Sequence, residues 1–126
     1  MARILFVDDE PDIRTLVKLR LERAGHEVIN AASAPDALDL IRRQGPPDLV
    51  VIDVMMPEVS GFDLLWELRN RPETANLPAI FLSAVVDQAS IRTGTELGAT
   101  YLTKPFVASA LLKAIDRALK PSEGSD

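Results

Sequence analysis

The sequence predicts an α/β fold: one doubly wound, five-stranded parallel sheet with five helices. Three observations predict it. Short apolar runs, Ile4–Val7, Leu49–Ile52 and Ala79–Leu82, read as buried strands, and the middle one carries two valines. Stretches with apolar residues at helical spacing alternate with these runs. Glycine or proline punctuates many of the junctions. Strands that alternate with helices build right-handed crossovers onto a parallel sheet and cover both of its faces.

Ile4–Val7, the first strand, closes on acids: Asp8, Asp9 and Glu10. Pro11 suits the first turn of a helix, and Ile13, Leu16, Val17, Arg20, Leu21 and Ala24 continue it until Gly25. Arg20 on that stripe is expected to lay its stem along the core and keep its charge outside. Glu27–Ala31 is a weaker strand. The next helix opens near Ser33 and Pro35 and turns Ala34, Ala37, Leu38 and Ile41 inward. Gln44, Gly45, Pro46 and Pro47 form a turn into the central strand, which ends on Asp53. A buried strand ends on a carboxylate only where that end faces solvent. Val54–Pro57, Ser60 and Gly61 read as a loop over this end.

A third helix runs from Gly61 to about Asn70, with Phe62, Leu65 and Leu68 packed and Trp66 a further candidate; Pro72 marks its end. Pro78 precedes the fourth strand, which closes on Ser83. Between Asp87 and Leu97 the helical signal is weakest. Ala89, Ile91 and Leu97 are sparse, Thr93, Gly94 and Thr95 are poor helix formers, and a mobile element is expected. Gly98 ends it, Thr100–Thr103 is the fifth strand, and Lys104 and Pro105 follow. The last helix carries Ala108, Leu111, Leu112, Ile115 and Leu119 on one face. The domain is expected to span residues 1–121, with 122–126 a disordered tail or linker stub.

Bulk properties narrow the function classes. At 126 residues, 47% of them hydrophobic, the chain fits one domain with a real core. A formal net charge of −5 and a pI near 4.9 argue against direct binding to nucleic acid or an anionic membrane. The lack of cysteine excludes disulfides, a thiol nucleophile and a cysteine metal site, and fits a reducing cytosol. Only four apolar residues separate Arg3 from Asp8, too few for a signal peptide, and no later run reaches transmembrane length. A soluble cytoplasmic protein is expected.

In a parallel sheet all strand carboxyl ends share one edge, which is where open α/β sheets place their ligand sites. Asp8 and Asp9, Asp53, Ser83 and Lys104 come from four different strands and are expected to converge there. Clustered carboxylates repel one another unless a hard cation holds them, and oxygen-only ligation favours Mg²⁺. Lys104 adds a compact positive charge for an acid or a phosphoryl oxygen, and Ser83 can donate to another such oxygen. A carboxylate in this setting can attack phosphorus and form an acyl phosphate.

These residues lie in a set of motifs. An acidic pair follows the first strand (Asp8, Asp9), and the third-strand Asp53 is followed by Met56, Pro57 and Gly61. The fourth strand ends on Ser83 with Ala84 next, and the fifth carries Tyr101 three residues before Lys104, Pro105 and Phe106. In this set the chain resembles the receiver domain of two-component response regulators, from residue 2 to about residue 120. The resemblance implies a CheY-like, flavodoxin-like strand order of 2-1-3-4-5. It implies that Asp53 accepts a phosphoryl group from the phosphohistidine of a sensor histidine kinase or phosphotransfer protein. It also implies that Asp9, Asp53 and the Met55 carbonyl bind Mg²⁺ directly, with Asp8 acting through water. Ser83 and Tyr101 are then switch residues, and the surface of the fourth helix, fifth strand and fifth helix changes partners. Such a chain has no further substrate: it catalyses only its own phosphorylation and dephosphorylation, and acts on a downstream protein target or a missing output domain. Met55 and Val85, at positions that tune phosphoryl lifetime in the family, are apolar here, so slow self-hydrolysis is expected. The fifth helix lacks the acidic residue that many relatives place just before its leucine, so dimerisation through that face does not carry over.

Other readings stand beside this one. Asp8 and Asp9 also suit the amino terminus of a helix, serine commonly ends strands, and Tyr101 could equally be a packed aromatic. His26 lies in a turn before an outer strand, Arg42 and Arg43 suit a solvated face, and Met55, Met56 and Trp66 suit packing and loop covering. A receiver-shaped module that signals without phosphate is one alternative. A phosphatase of the haloacid-dehalogenase type is another, but such enzymes usually carry a second acid two residues after the nucleophile, where this chain has Met55.

Overall fold

The apolar runs fold as the alternation requires. The computed structural model describes residues 2–56, 59–84, 87–104 and 108–120. Its elements are β1 (Arg3–Val7), α1 (Pro11–Arg23), β2 (Glu27–Ala31), α2 (Ala34–Gln44), β3 (Leu49–Asp53), α3 (Gly61–Arg69), β4 (Ala79–Ser83), α4 (Gln88–Glu96), β5 (Thr100–Thr103) and α5 (Ala108–Leu119). All strands are parallel, in the order β2-β1-β3-β4-β5. Expectations that fall on Pro57, Val85, Pro105, Phe106 and the 122–126 tail lie outside the described residues.

The period-2 alternation of each strand divides the core into two layers. Ile4, Phe6, Leu49, Val51, Ile80 and Leu82 face one side, against Val17 and Leu21 of α1 and Leu111 and Ile115 of α5. Leu5, Val7, Val50, Ile52, Ala79 and Phe81 face the other, against Ala37 and Ile41 of α2 and Leu64, Leu65 and Leu68 of α3. Covered on both faces and paired on both edges, β3 is buried along its whole length. Each large apolar side chain taken out of water in these layers contributes about 1.5–3 kcal/mol before entropy is set against it. Among the described residues, no helix is long and apolar enough to cross a membrane.

The helix starts follow local chemistry. The Ser33, Ser60 and Asp87 side chains accept from the backbone N–H groups of Asp36, Asp63 and Ser90, satisfying donors that the first turn leaves open. In α1 Pro11 removes one such donor outright.

Two details differ from the sequence reading, and a third, the weak helix between Asp87 and Leu97, is present as expected. Leu16 is 51% exposed, so the buried stripe of α1 narrows to Val17 and Leu21. Trp66 is 62% exposed, because α3 turns Gly61, Leu64, Leu65 and Leu68 inward and leaves Trp66 on the outer face. The segment with the weakest helical signal does form α4, and its glycine has a packing reason. A Cβ on Gly94 would lie 3.0 Å from the Tyr101 ring and 3.1 Å from the Phe81 ring, so a larger residue there would need the rings to give by a few tenths of an ångström.

Candidate functional site

The pairing register builds the site. Val7 pairs with Ile52, so Asp8 and Asp53, each one residue further on, lie side by side at the carboxyl edge. Asp53 pairs with Leu82, and Ser83 pairs with Thr103, which places Lys104 just beyond. The Lys104 N–H donates to the Ser83 carbonyl at 2.8 Å and fixes where the lysine leaves the sheet. By alternation Asp8, Asp53 and Lys104 continue the rows that face α1 and α5, whereas Ser83 continues the row of Phe81.

Lys104 Nζ lies 3.3 Å from Asp8 Oδ2 and 3.6 Å from both Asp53 Oδ2 and Glu10 Oε1. Asp8 and Ser83 are fully buried and Asp53 is 4% exposed. Carboxylate oxygens of Asp8, Asp9 and Asp53 all lie within 4.8 Å of one another, with Asp9 the most exposed of the three. Backbone donors hold the two buried acids: Glu10 N–H donates to Asp8 Oδ1 at 2.9 Å, and Met55 N–H donates to Asp53 Oδ1 at 3.2 Å.

Gly61 gives the site its shape. Its N–H donates to the Val54 carbonyl at 2.9 Å, and a Cβ there would fall 2.5 Å from the Asp53 carbonyl oxygen and 2.7 Å from an Ile52 methyl. No side chain fits between α3 and the end of β3.

The electrostatics follow from packing acids together out of water. Burial first, and the Asp8 charge second, push the Asp53 carboxyl up to about 6 despite Lys104. Burial likewise raises Asp8, against the pull of the Glu10 N–H and Lys104. For Lys104, burial works against the charged form, but Asp53, Asp8 and Glu10 outweigh it and the ammonium is held above its usual range. The donor set is oxygen only and short of positive charge, which fits a hard divalent cation such as Mg²⁺.

The structure thus brings together Asp8, Asp9, Asp53 and Lys104, with Ser83 beside them. Tyr101 lies on the opposite layer, its ring centroid 6.3 Å from that of Phe81. Met55 follows Asp53 with its side chain exposed. Two contributors escaped the sequence reading: Glu10, on the rim beside Lys104, and Arg14, whose guanidinium donates to the Asp8 carbonyl at 2.7 Å and ties α1 to the acidic loop. Glu10 adjoins Asp9 in sequence, which was a usable signal. The Arg14 contact is to backbone and leaves no pattern.

Comparison with known proteins agrees with this architecture. The family model described as "Response regulator receiver domain" matches residues 4–116. A "Probable transcriptional regulator ycf27" of Cyanophora paradoxa is 41% identical over 122 residues, covering 96% of this chain and 49% of that protein. The "Transcriptional regulatory protein AfsQ1" of Streptomyces coelicolor is 40% identical, covering 98% of this chain and 53% of the relative. The chain thus spans about half the length of these curated relatives. Among solved structures, the chemotaxis protein CheY4 of Vibrio cholerae superposes with a TM-score of 0.88 at 34% identity, covering 94% of this chain and 99% of that one.

Proposed function

Because the chain belongs to the response regulator receiver domain family, we propose that it is a phosphorylation-controlled switch with Asp53 as its phosphoacceptor. The observation that carries the reading is the convergence of three carboxylates and Lys104 at one sheet edge, with Asp53 buried in their midst. With its pKa pushed up to about 6, Asp53 is mostly ionised at neutral pH and therefore nucleophilic. One Asp53 oxygen attacks the phosphorus of a phosphohistidine on a kinase or phosphotransfer protein. The new P–O bond forms as the P–N bond breaks, and the leaving imidazole nitrogen takes a proton from solvent. Lys104 turns from the carboxylates toward the phosphoryl oxygens, and the Ser83 hydroxyl donates to another of them. Asp9, Asp53 and the Met55 carbonyl would hold Mg²⁺, with Asp8 acting through water, and the bound ion would supply the remaining positive charge.

The donor approaches over α1 and the segment after β5. An apolar groove of about 770 Å³ between α1 and α5, lined by Ile13, Leu16, Arg20, Ala108 and Ser109 among others, reaches Lys104 and suits such a partner. The new dianion draws Ser83 and Tyr101 into a second arrangement and alters the α4, β5 and α5 surface, which controls a downstream protein or an output domain. Met55, two residues after Asp53, has no polar side-chain group with which to position a hydrolytic water, so the acyl phosphate should outlive a scale of seconds.

Intact-mass analysis after incubation with a small acyl phosphate donor tests this reading. A single Mg²⁺-dependent phosphoryl adduct, lost in Asp53→Ala, is expected. No adduct, together with failure to bind beryllofluoride, would instead favour a phosphate-independent interaction module.

A further inference from the structure

Arg69, the last residue of α3, lies outside the acidic edge and is used by none of the chemistry above. Its guanidinium is partly buried, and burial alone pushes its pKa down, with no carboxylate among the described residues to offset it. Three carbonyls satisfy it instead. Nε donates to Leu97 O at 2.8 Å, and Nη1 donates to Leu77 O at 2.7 Å and Ala75 O at 3.3 Å. A planar fork of donors can hold acceptors from several segments in one geometry, which a lysine cannot do.

Each acceptor marks a fixed point. Ala75 and Leu77 belong to the turn before β4, which is pinned by the buried Thr74. Its hydroxyl donates to Leu68 O at 2.6 Å, and its own carbonyl accepts from Leu77 N at 3.1 Å. Leu97 is the C-cap of α4. There the chain closes the helix with a paired set of reversed bonds, Gly98 N–H to Thr95 O at 2.9 Å and Ala99 N–H to Gly94 O at 3.0 Å, with Gly98 at φ +78. The cation of Arg69 therefore sits at the negative end of α4 as well as at the end of α3. One turn earlier, Gly94 rests against the Tyr101 and Phe81 rings. Among the described residues, the bonds at the opposite end of α4 are of another kind. Asp87 caps it through the Ser90 N–H and hydroxyl, bonds internal to the helix, and Gln88, Ala89, Ile91 and Arg92 are exposed.

From this asymmetry we infer that Arg69 is a positioning residue for the switch surface: it clamps the carboxyl end of α4 to the body of the domain, so that α4 rearranges by pivoting about Leu97 with its largest displacement at the Asp87–Ile91 end. The inference rests on the switch reading for what drives the motion, but the clamp itself belongs to the unmodified protein.

Hydrogen exchange on the full chain tests both parts, comparing wild type, Arg69→Met and Arg69→Lys, each with and without beryllofluoride and Mg²⁺. Bound beryllofluoride is scored independently by fluorine NMR. In wild type, ligand binding should change exchange in residues 87–91 and leave the Gly98 and Ala99 amides unchanged. In Arg69→Met without ligand, those two amides should exchange faster on the order of tenfold or more, since hydrogen bonds to a charged donor are lost. Arg69→Lys, which keeps the charge but not the fork, should fall between. Equal ligand-induced change at both ends of wild-type α4 would overturn the pivot, as would wild-type exchange at Gly98 and Ala99 in Arg69→Met. Absence of a fluorine signal would count against the switch reading alone, leaving the ligand-free comparison to decide the clamp.

Discussion

Asp53 is held where its charge is costly, and that cost is measurable. Its folded pKa of about 6 lies above the ordinary 3.8. Between those values the folded chain keeps a proton that the unfolded chain has released, so this residue's contribution to stability falls as pH rises and is least favourable at neutral pH and above. Asp53→Asn should therefore stabilise the metal-free protein against urea at neutral pH, by up to about 3 kcal/mol, and by much less near pH 4. A mutant less stable than its parent at neutral pH would contradict the electrostatic picture. Glu10 acts at the same site from the rim. Replacing it with glutamine removes one competitor for Lys104 and one negative charge facing an anionic donor, so phosphorylation by a small acyl phosphate should quicken by a few-fold at low salt and converge with the parent at high salt. The four principal charged residues were legible because each ends or follows a strand readable in the sequence. The Lys104–Glu10 contact depends on a loop geometry that sequence spacing does not specify.

At the scale of elements, two glycines separate close approach from ordinary helix weakness. At Gly61 a Cβ would meet backbone at 2.5 Å and 3.0 Å as well as the Ile52 methyl, and backbone there cannot yield without moving β3. Gly61→Ala should cost about 1–3 kcal/mol in chemical denaturation and weaken Mg²⁺ binding. At Gly94 the neighbours are ring edges at 3.0 Å and 3.1 Å, and alanine recovers up to about 1 kcal/mol of helix propensity, so Gly94→Ala should cost clearly less than Gly61→Ala. The reverse order would mean that the closeness of α3 to β3 is not what positions Asp53. The same elements show where the sequence misled. Thr93, Gly94 and Thr95 looked like poor helix formers, yet Gly94 is where α4 packs. Apolar character at Leu16 and Trp66 could not reveal that both point outward, since a phase difference of one residue decides it. Trp66, the sole tryptophan, should emit at the wavelength of a solvent-exposed indole and tolerate Trp66→Ala within about 0.5 kcal/mol. A blue-shifted native spectrum would place it in a core.

At the scale of the molecule, alternating apolar strands and amphipathic helices were enough to read a parallel sheet covered on both faces, and that sheet determines which residues meet. Strand order was legible only through the resemblance, because the apolar runs of β1, β3 and β4 look alike and nothing in β1 alone says that it lies between β2 and β3. Arg69 was not legible at all: its three acceptors are backbone carbonyls. Binding of Mg²⁺ to the folded state alone should raise stability by about 2.7 kcal/mol at a hundredfold excess over Kd, an effect largely lost in Asp53→Asn. The central claim is that one carboxylate of this cluster, Asp53, carries the phosphoryl group. Borohydride trapping after incubation with a small acyl phosphate donor and Mg²⁺, followed by peptide mass mapping, reads this directly, since reduction converts a phosphorylated aspartate to homoserine. Homoserine at Asp53 alone is the predicted result; homoserine at Asp8 or Asp9, with Asp53 unmodified, would contradict it.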